Sequence, residues 1–155
     1  ELDPIVVDKL VQSRGIKVVC GGTTSQIVSS HTGEQLTVTL NYENPGIPPA
    51  AHIKGIDLVT EGVLTIGKTL DMIKRFPYMN RSEKVIALSK KDAASRLVRI
   101  LLEESTEVRF LVGRAINPAH QNPEMPISLG LKLNLIKEMK AELEKIGKIV
   151  NIEYF

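Results

Sequence analysis

Ile16-Lys-Val-Val-Cys20 runs through Gly21-Gly-Thr-Thr24 straight into Ser25-Gln-Ile-Val-Ser-Ser30. A short apolar run, two glycines and two hydroxyls in front of a helix-like segment predict a strand, a tight turn and a helix. Residues without Cβ allow the turn and let a ligand approach the backbone. The first N–H groups of the helix have no intrahelical partners, and its positive dipole end suits phosphate or carboxylate. A second reading stands beside this one, in which Gly-Gly only turns the chain and Thr23 or Thr24 is an N-cap. The stretch matches neither G-x-G-x-x-G nor G-x-x-x-x-G-K-[ST], and no lysine follows to reach a second phosphate.

The same order recurs along the chain. Pro4 to Arg14 has helical apolar spacing, with Asp3 before it and Gly15 after it. The segment that opens at Thr23 reads as a helix to His31, stopped near Gly33. Leu36 to Leu40 alternates like an edge strand. Asn41 to His52 carries Pro45, Pro48 and Pro49, so it reads as a long stiffened loop in which regular pairing is forbidden. Ile56 to Thr60 is a strand, broken by Glu61-Gly62 before a helical pattern that runs from Leu64 toward Phe76. Pro77 to Lys84 is polar and without a periodic signal. Lys91 to Glu104 is an amphipathic helix with Asp92 in its first turn.

Val108 to Val112 is a further strand ending at Gly113, and Arg114 to Pro126 is a second long polar loop. A helix from about Ser128 to Ile146 and a strand from Lys148 to Tyr154 complete the chain. Helices between strands imply crossovers, so the expected fold is α/β: one domain over residues 1–155, a three-layer, Rossmann-like sandwich with a mostly parallel sheet of about five strands.

Composition limits the function classes. The chain has 155 residues, 43% of them hydrophobic, enough for one core built mainly from Ile, Leu and Val. A net charge of +2 from 20 basic and 18 acidic residues, interspersed, gives no concentrated basic field for nucleic acid. One cysteine excludes an internal disulfide and fits a reducing cytoplasm. No apolar run approaches a membrane span. The first residue is Glu1 rather than Met, as expected for a piece cut from a longer protein or for a processed N-terminus.

In an open parallel sheet, ligands bind outside the carboxyl ends of the strands. Three such ends carry polar groups: Gly21, Gly22, Thr23 and Thr24; Thr60, Glu61 and Gly62; and Gly113, Arg114, Asn117, His120, Gln121 and Asn122. Arg114 can fork two hydrogen bonds to an oxyanion, or pair with Glu61. The amides can orient a polar ligand, or stabilise the turns that Asn117-Pro118 and Asn122-Pro123 favour. His120, in a polar loop, is the general acid/base candidate, and His52 can complete the site or simply pack against the sheet. His31 reads as an ordinary residue near a helix C-terminus. His52, Asp57, Glu61 and His120 offer no close ligand pair, so no metal is expected in this chain. Cys20 reads as buried filler, and serine hydrolase chemistry has no motif.

Three segments, Val18 to Thr24, Pro48 to Thr65 and Phe110 to Pro123, together resemble the region after the catalytic domain in clostridial protein serine/threonine phosphatases of the sporulation stage II protein E type. The resemblance covers nearly all of the chain. That family's metal-dependent catalytic domain uses two Mg²⁺ or Mn²⁺ ions held by aspartates in Asp-Gly and Asp-Asp-x-Thr patterns. The five aspartates here match neither pattern. The resemblance therefore implies a C-terminal companion domain without the catalytic half, with Mg²⁺ or Mn²⁺ expected only for that half. The expectation is a regulatory or sensory domain that binds a small anion and biases an attached phosphatase domain. Two alternatives are a protein-interaction or homodimerising module, and a small enzyme on an anionic metabolite with Glu61 or His120 as base.

Overall fold

The computed structural model describes residues 3–38, 44–114 and 125–155. The chain divides into two compact units, Glu1–Glu104 and Ser105–Phe155.

The first unit contains α1 (Asp3–Gln12), β1 (Val18–Cys20), α2 (Gly22–Thr32), β2 (Thr37–Val38), β3 (Ala51–His52), β4 (Leu58–Thr60), α3 (Val63–Arg75), α4 (Arg81–Ser89) and α5 (Ala93–Glu103). Its sheet has the order β1-β4-β3-β2. β1 and β4 are parallel, with Val18 opposite Leu58, Val19 opposite Val59 and Cys20 opposite Thr60. All three β4 residues are buried, as a strand covered on both faces requires. Val19 and Val59 pack with Val7 of α1, Val28 of α2, Ile53 and Ile56. Leu58 and Thr60 alternate to the other face, where α5 packs against β4 and α3 against α5. Ala93 and Ala94 of α5 close on Ile47, Ala50 and Met72.

Sharp ends set these helices. Gly33 terminates α2 in the left-handed conformation at φ 74°, and its N–H donates to Ser29 O. Asp92 is the N-cap of α5; its carboxylate accepts from the Ser95 N–H at 2.9 Å and the Ser95 hydroxyl at 2.7 Å. Asn80 caps α4 by accepting from the Glu83 N–H at 2.8 Å.

The second unit is one β-α-β crossover: β5 (Glu107–Val112), α6 (Met125–Lys145) and β6 (Ile149–Tyr154). The strands pair in parallel over six residues, from Glu107 opposite Ile149 to Val112 opposite Tyr154. Parallel neighbours need a long connection, and α6 supplies it. Ile136, Met139 and Leu143 of α6 are buried, as are Val112 and Val150. Gly147 at φ 87° ends the helix, with the Lys148 N–H returning to Leu143 O at 3.1 Å.

The chain is α/β, but the expected parallel sheet of about five strands is corrected to a mixed four-stranded sheet and a two-stranded parallel one. β3 runs antiparallel to both β2 and β4. No helix is described between β2 and β3, and strands joined without a helical crossover pair antiparallel. The prolines do not prevent this pairing, because Ala51 and His52 follow them and keep their own N–H groups. The polar stretch around Pro77 also differs from expectation. Phe76–Tyr78 forms one 3-10 turn and Asn80 then starts α4, a helix the apolar spacing did not announce.

Candidate functional site

Parallel pairing of β1 with β4 brings two strand ends together, and each feeds a helix at once. The Gly21 N–H donates to Thr60 O at 2.9 Å, extending the ladder one residue beyond Cys20. Gly21 is the N-cap of α2, with φ 117° and ψ 139°. That backbone conformation is open to glycine and strained for residues with a Cβ. Gly62 is the N-cap of α3, and a Cβ placed on it would lie 3.4 Å from the Gly21 Cα. The starts of α2 and α3 therefore touch through two glycines. Seven expected site residues share this place: Gly21, Gly22, Thr23, Thr24, Thr60, Glu61 and Gly62.

The two helix starts are served differently. Neither glycine cap offers a side chain. At α3 the preceding Glu61 folds back, its carboxylate accepting from the Thr65 N–H at 3.2 Å and lying 3.5 Å from the Thr65 hydroxyl. A carboxylate so used satisfies an orphan donor and complements the dipole. At α2 no side chain among the described residues takes that role, and Thr23 and Thr24 lie in the first turn rather than at the cap. Gly22 is exposed, and a Cβ added there meets no atom within 4 Å. Below the glycines, burial pushes the Cys20 thiol up from its ordinary value of 9.0; Glu61 adds to the rise and a hydrogen bond with Thr60 offsets part of it. A thiol shifted in that direction keeps its proton at neutral pH.

Other candidates separate. The Asp57 carboxylate accepts from the Lys17 N–H at 2.7 Å, tying the beginnings of β1 and β4. It stands at the opposite end of β4 from Glu61, roughly 13 Å away by strand rise. His52 is an exposed residue of β3. His31 Nε2 lies 2.8 Å from Asp8 Oδ1, linking α2 to α1. A groove of about 480 Å³ opens beside that pair, between Asp3 and Pro4 of α1 and Thr23, Gln26 and Ser30 of α2. Among the described residues, no three of His, Cys, Asp and Glu assemble as metal ligands. No helix among them is long and apolar enough to cross a membrane.

Arg114 belongs to the second unit, where its guanidinium lies 5.4 Å from the centroid of the Tyr154 ring. Asn117, His120, Gln121 and Asn122 lie outside the described residues. Sequence reasoning missed Thr65, which is fully buried and holds Glu61. The Glu61-x-x-x-Thr65 spacing behind a glycine was the signal for it. No family model, curated protein sequence or solved structure matches this chain.

Proposed function

We propose that the chain is a regulatory or sensory domain that binds a small phosphate- or carboxylate-bearing ligand at the carboxyl ends of β1 and β4, and that it acts on an attached protein serine/threonine phosphatase domain. The phosphatase assignment rests on the resemblance of the three segments. The ligand assignment rests on one observation: two helix starts meet through Gly21 and Gly62, and among the described residues only α3 has a carboxylate of its own. The α2 start keeps backbone N–H groups, exposed hydroxyls at Thr23 and Thr24, and open space at Gly22. One helix dipole supplies about 0.3–1 kcal/mol, so the hydroxyls and backbone donors must carry most of the affinity.

A thermal-shift screen with anionic metabolites on the wild-type chain and on Gly22→Val tests this reading. A ligand at 100 times its Kd stabilises by about 2.7 kcal/mol. Gly22→Val should fold and should lose that shift, since its side chain fills the approach to the α2 donors. A shift that survives in the variant, or no shift with any ligand, overturns the ligand assignment. A second reading, a protein-interaction module, is favoured by Tyr78, Val85 and Ile86, which are 90%, 63% and 59% exposed around the start and middle of α4. A silent screen together with complex formation with the phosphatase domain would support it.

A further inference from the structure

Within Ser105–Phe155 the strand ladder continues past β6. The Phe155 N–H donates to Val112 O at 2.9 Å, and the Arg114 N–H donates to Phe155 O at 2.9 Å. The backbone of Arg114 is therefore anchored at the carboxyl end of a parallel strand pair. Its guanidinium rests over the Tyr154 ring, 5.4 Å from the centroid, in a cation–π arrangement. From α6, Lys132 reaches the same end, its Nζ donating to Gly113 O at 2.9 Å. Two cations thus hang on consecutive residues, one through its own backbone and one through a carbonyl.

Three other basic groups of the unit are paired. Arg109, Lys140 and Lys145 each have a carboxylate within 4.0 Å. Among the described residues, neither Arg114 nor Lys132 has one. Lys132 is partly buried, and desolvation lowers its pKa from the usual 10.5. An ammonium that has lost hydration and gained only a carbonyl is stabilised further by an anion. Arg offers a planar fork to an oxyanion and Lys offers a point charge.

We infer that the carboxyl end of the β5/β6 pair is an oxyanion site, in which Arg114 forks onto a phosphate or carboxylate group of a small molecule and Lys132 neutralises it. The inference uses residues of the second unit alone and does not depend on the reading of Gly21 to Thr24. Ligand binding beyond the carboxyl ends of parallel strands is the general rule for such sheets.

The experiment is an amide NMR titration of the ¹⁵N-labelled full chain with inorganic phosphate and, separately, with succinate, at constant ionic strength. Saturable shifts at Gly113, Arg114 and Phe155 are expected with at least one of the two, and which one saturates distinguishes a phosphate from a carboxylate ligand. Arg114→Gln and Lys132→Met should each weaken binding about tenfold or more, the loss of one charge-assisted hydrogen bond. Arg114→Lys, which keeps the charge without the fork, should weaken it less than Arg114→Gln. Lys145→Met, on a residue that pairs with Glu142, should leave it unchanged. Shifts that rise without saturating, or saturable binding that Arg114→Gln and Lys132→Met both leave intact, would overturn the assignment. If one variant fails to fold, the wild-type titration and the other variant decide. Shifts at Gly22, Thr23 and Thr24 report separately on the first unit.

Discussion

At the scale of single residues, the first unit is decided by groups whose behaviour depends on burial. Cys20, read as buried filler at the end of an apolar run, is partly buried, and desolvation raises its thiol pKa. The sign of its pH effect follows. Below the ordinary 9.0 both folded and unfolded chains keep the proton, and the contribution to stability is complete. As pH climbs from there through the folded value, the unfolded chain releases its proton first, and stability falls. Urea unfolding between about pH 8 and pH 10.5 should show a steeper decline for wild type than for Cys20→Ala; parallel declines would remove Cys20 from the account. Glu61 was less legible. Sequence reading offered it as a general base or a partner of Arg114, whereas its carboxylate faces Thr65.

At the scale of elements, the ends of the helices were easier to read than the strands. Asp92 was placed correctly at the start of α5, although it is the cap rather than a first-turn residue. Its burial makes it the more costly cap to lose. Asp92→Ala strands two donors of Ser95 in a buried place, at about 2 kcal/mol, against about 1 kcal/mol or less for Asn80→Ala on exposed α4. Equal losses in chemical denaturation would mean that burial adds nothing at Asp92. α4 escaped notice because Pro77 and the charged Arg81-Ser-Glu-Lys84 run mask a helix whose only buried residue is Ala87. β3 escaped notice because two residues after a proline run carry no alternation to detect.

At the scale of the whole molecule, Ile53 and Val59 are buried in a core of the first unit, and Met139 and Leu143 are buried in the second. Ile53 and Leu143 are both 0% exposed. Truncating either to Ala should cost about 2–5 kcal/mol, through lost transfer energy and an unfilled cavity. Amide hydrogen exchange locates each loss: Ile53→Ala should accelerate exchange in β1 and β4, and Leu143→Ala in β5, β6 and α6. A substitution that left exchange of its own strands unaltered would contradict the assignment of that core.

Local chemistry, acting over a few residues, was enough to determine much of this protein. Apolar periodicity marked α1, α3 and α5, glycine stops helped mark α2 and α6, apolar runs marked β1 and β4, and glycine before a helix marked Gly21 and Gly62 as turn positions. Pairing between strands was decided by tertiary structure, because hydrogen-bond partners lie tens of residues apart and leave no periodic trace in either strand. That pairing turned β3 antiparallel, limited the sheets to four strands and two, and set Gly62 against Gly21. It also joined Lys132 to Gly113, a contact that exists only because α6 crosses back over the strands it connects.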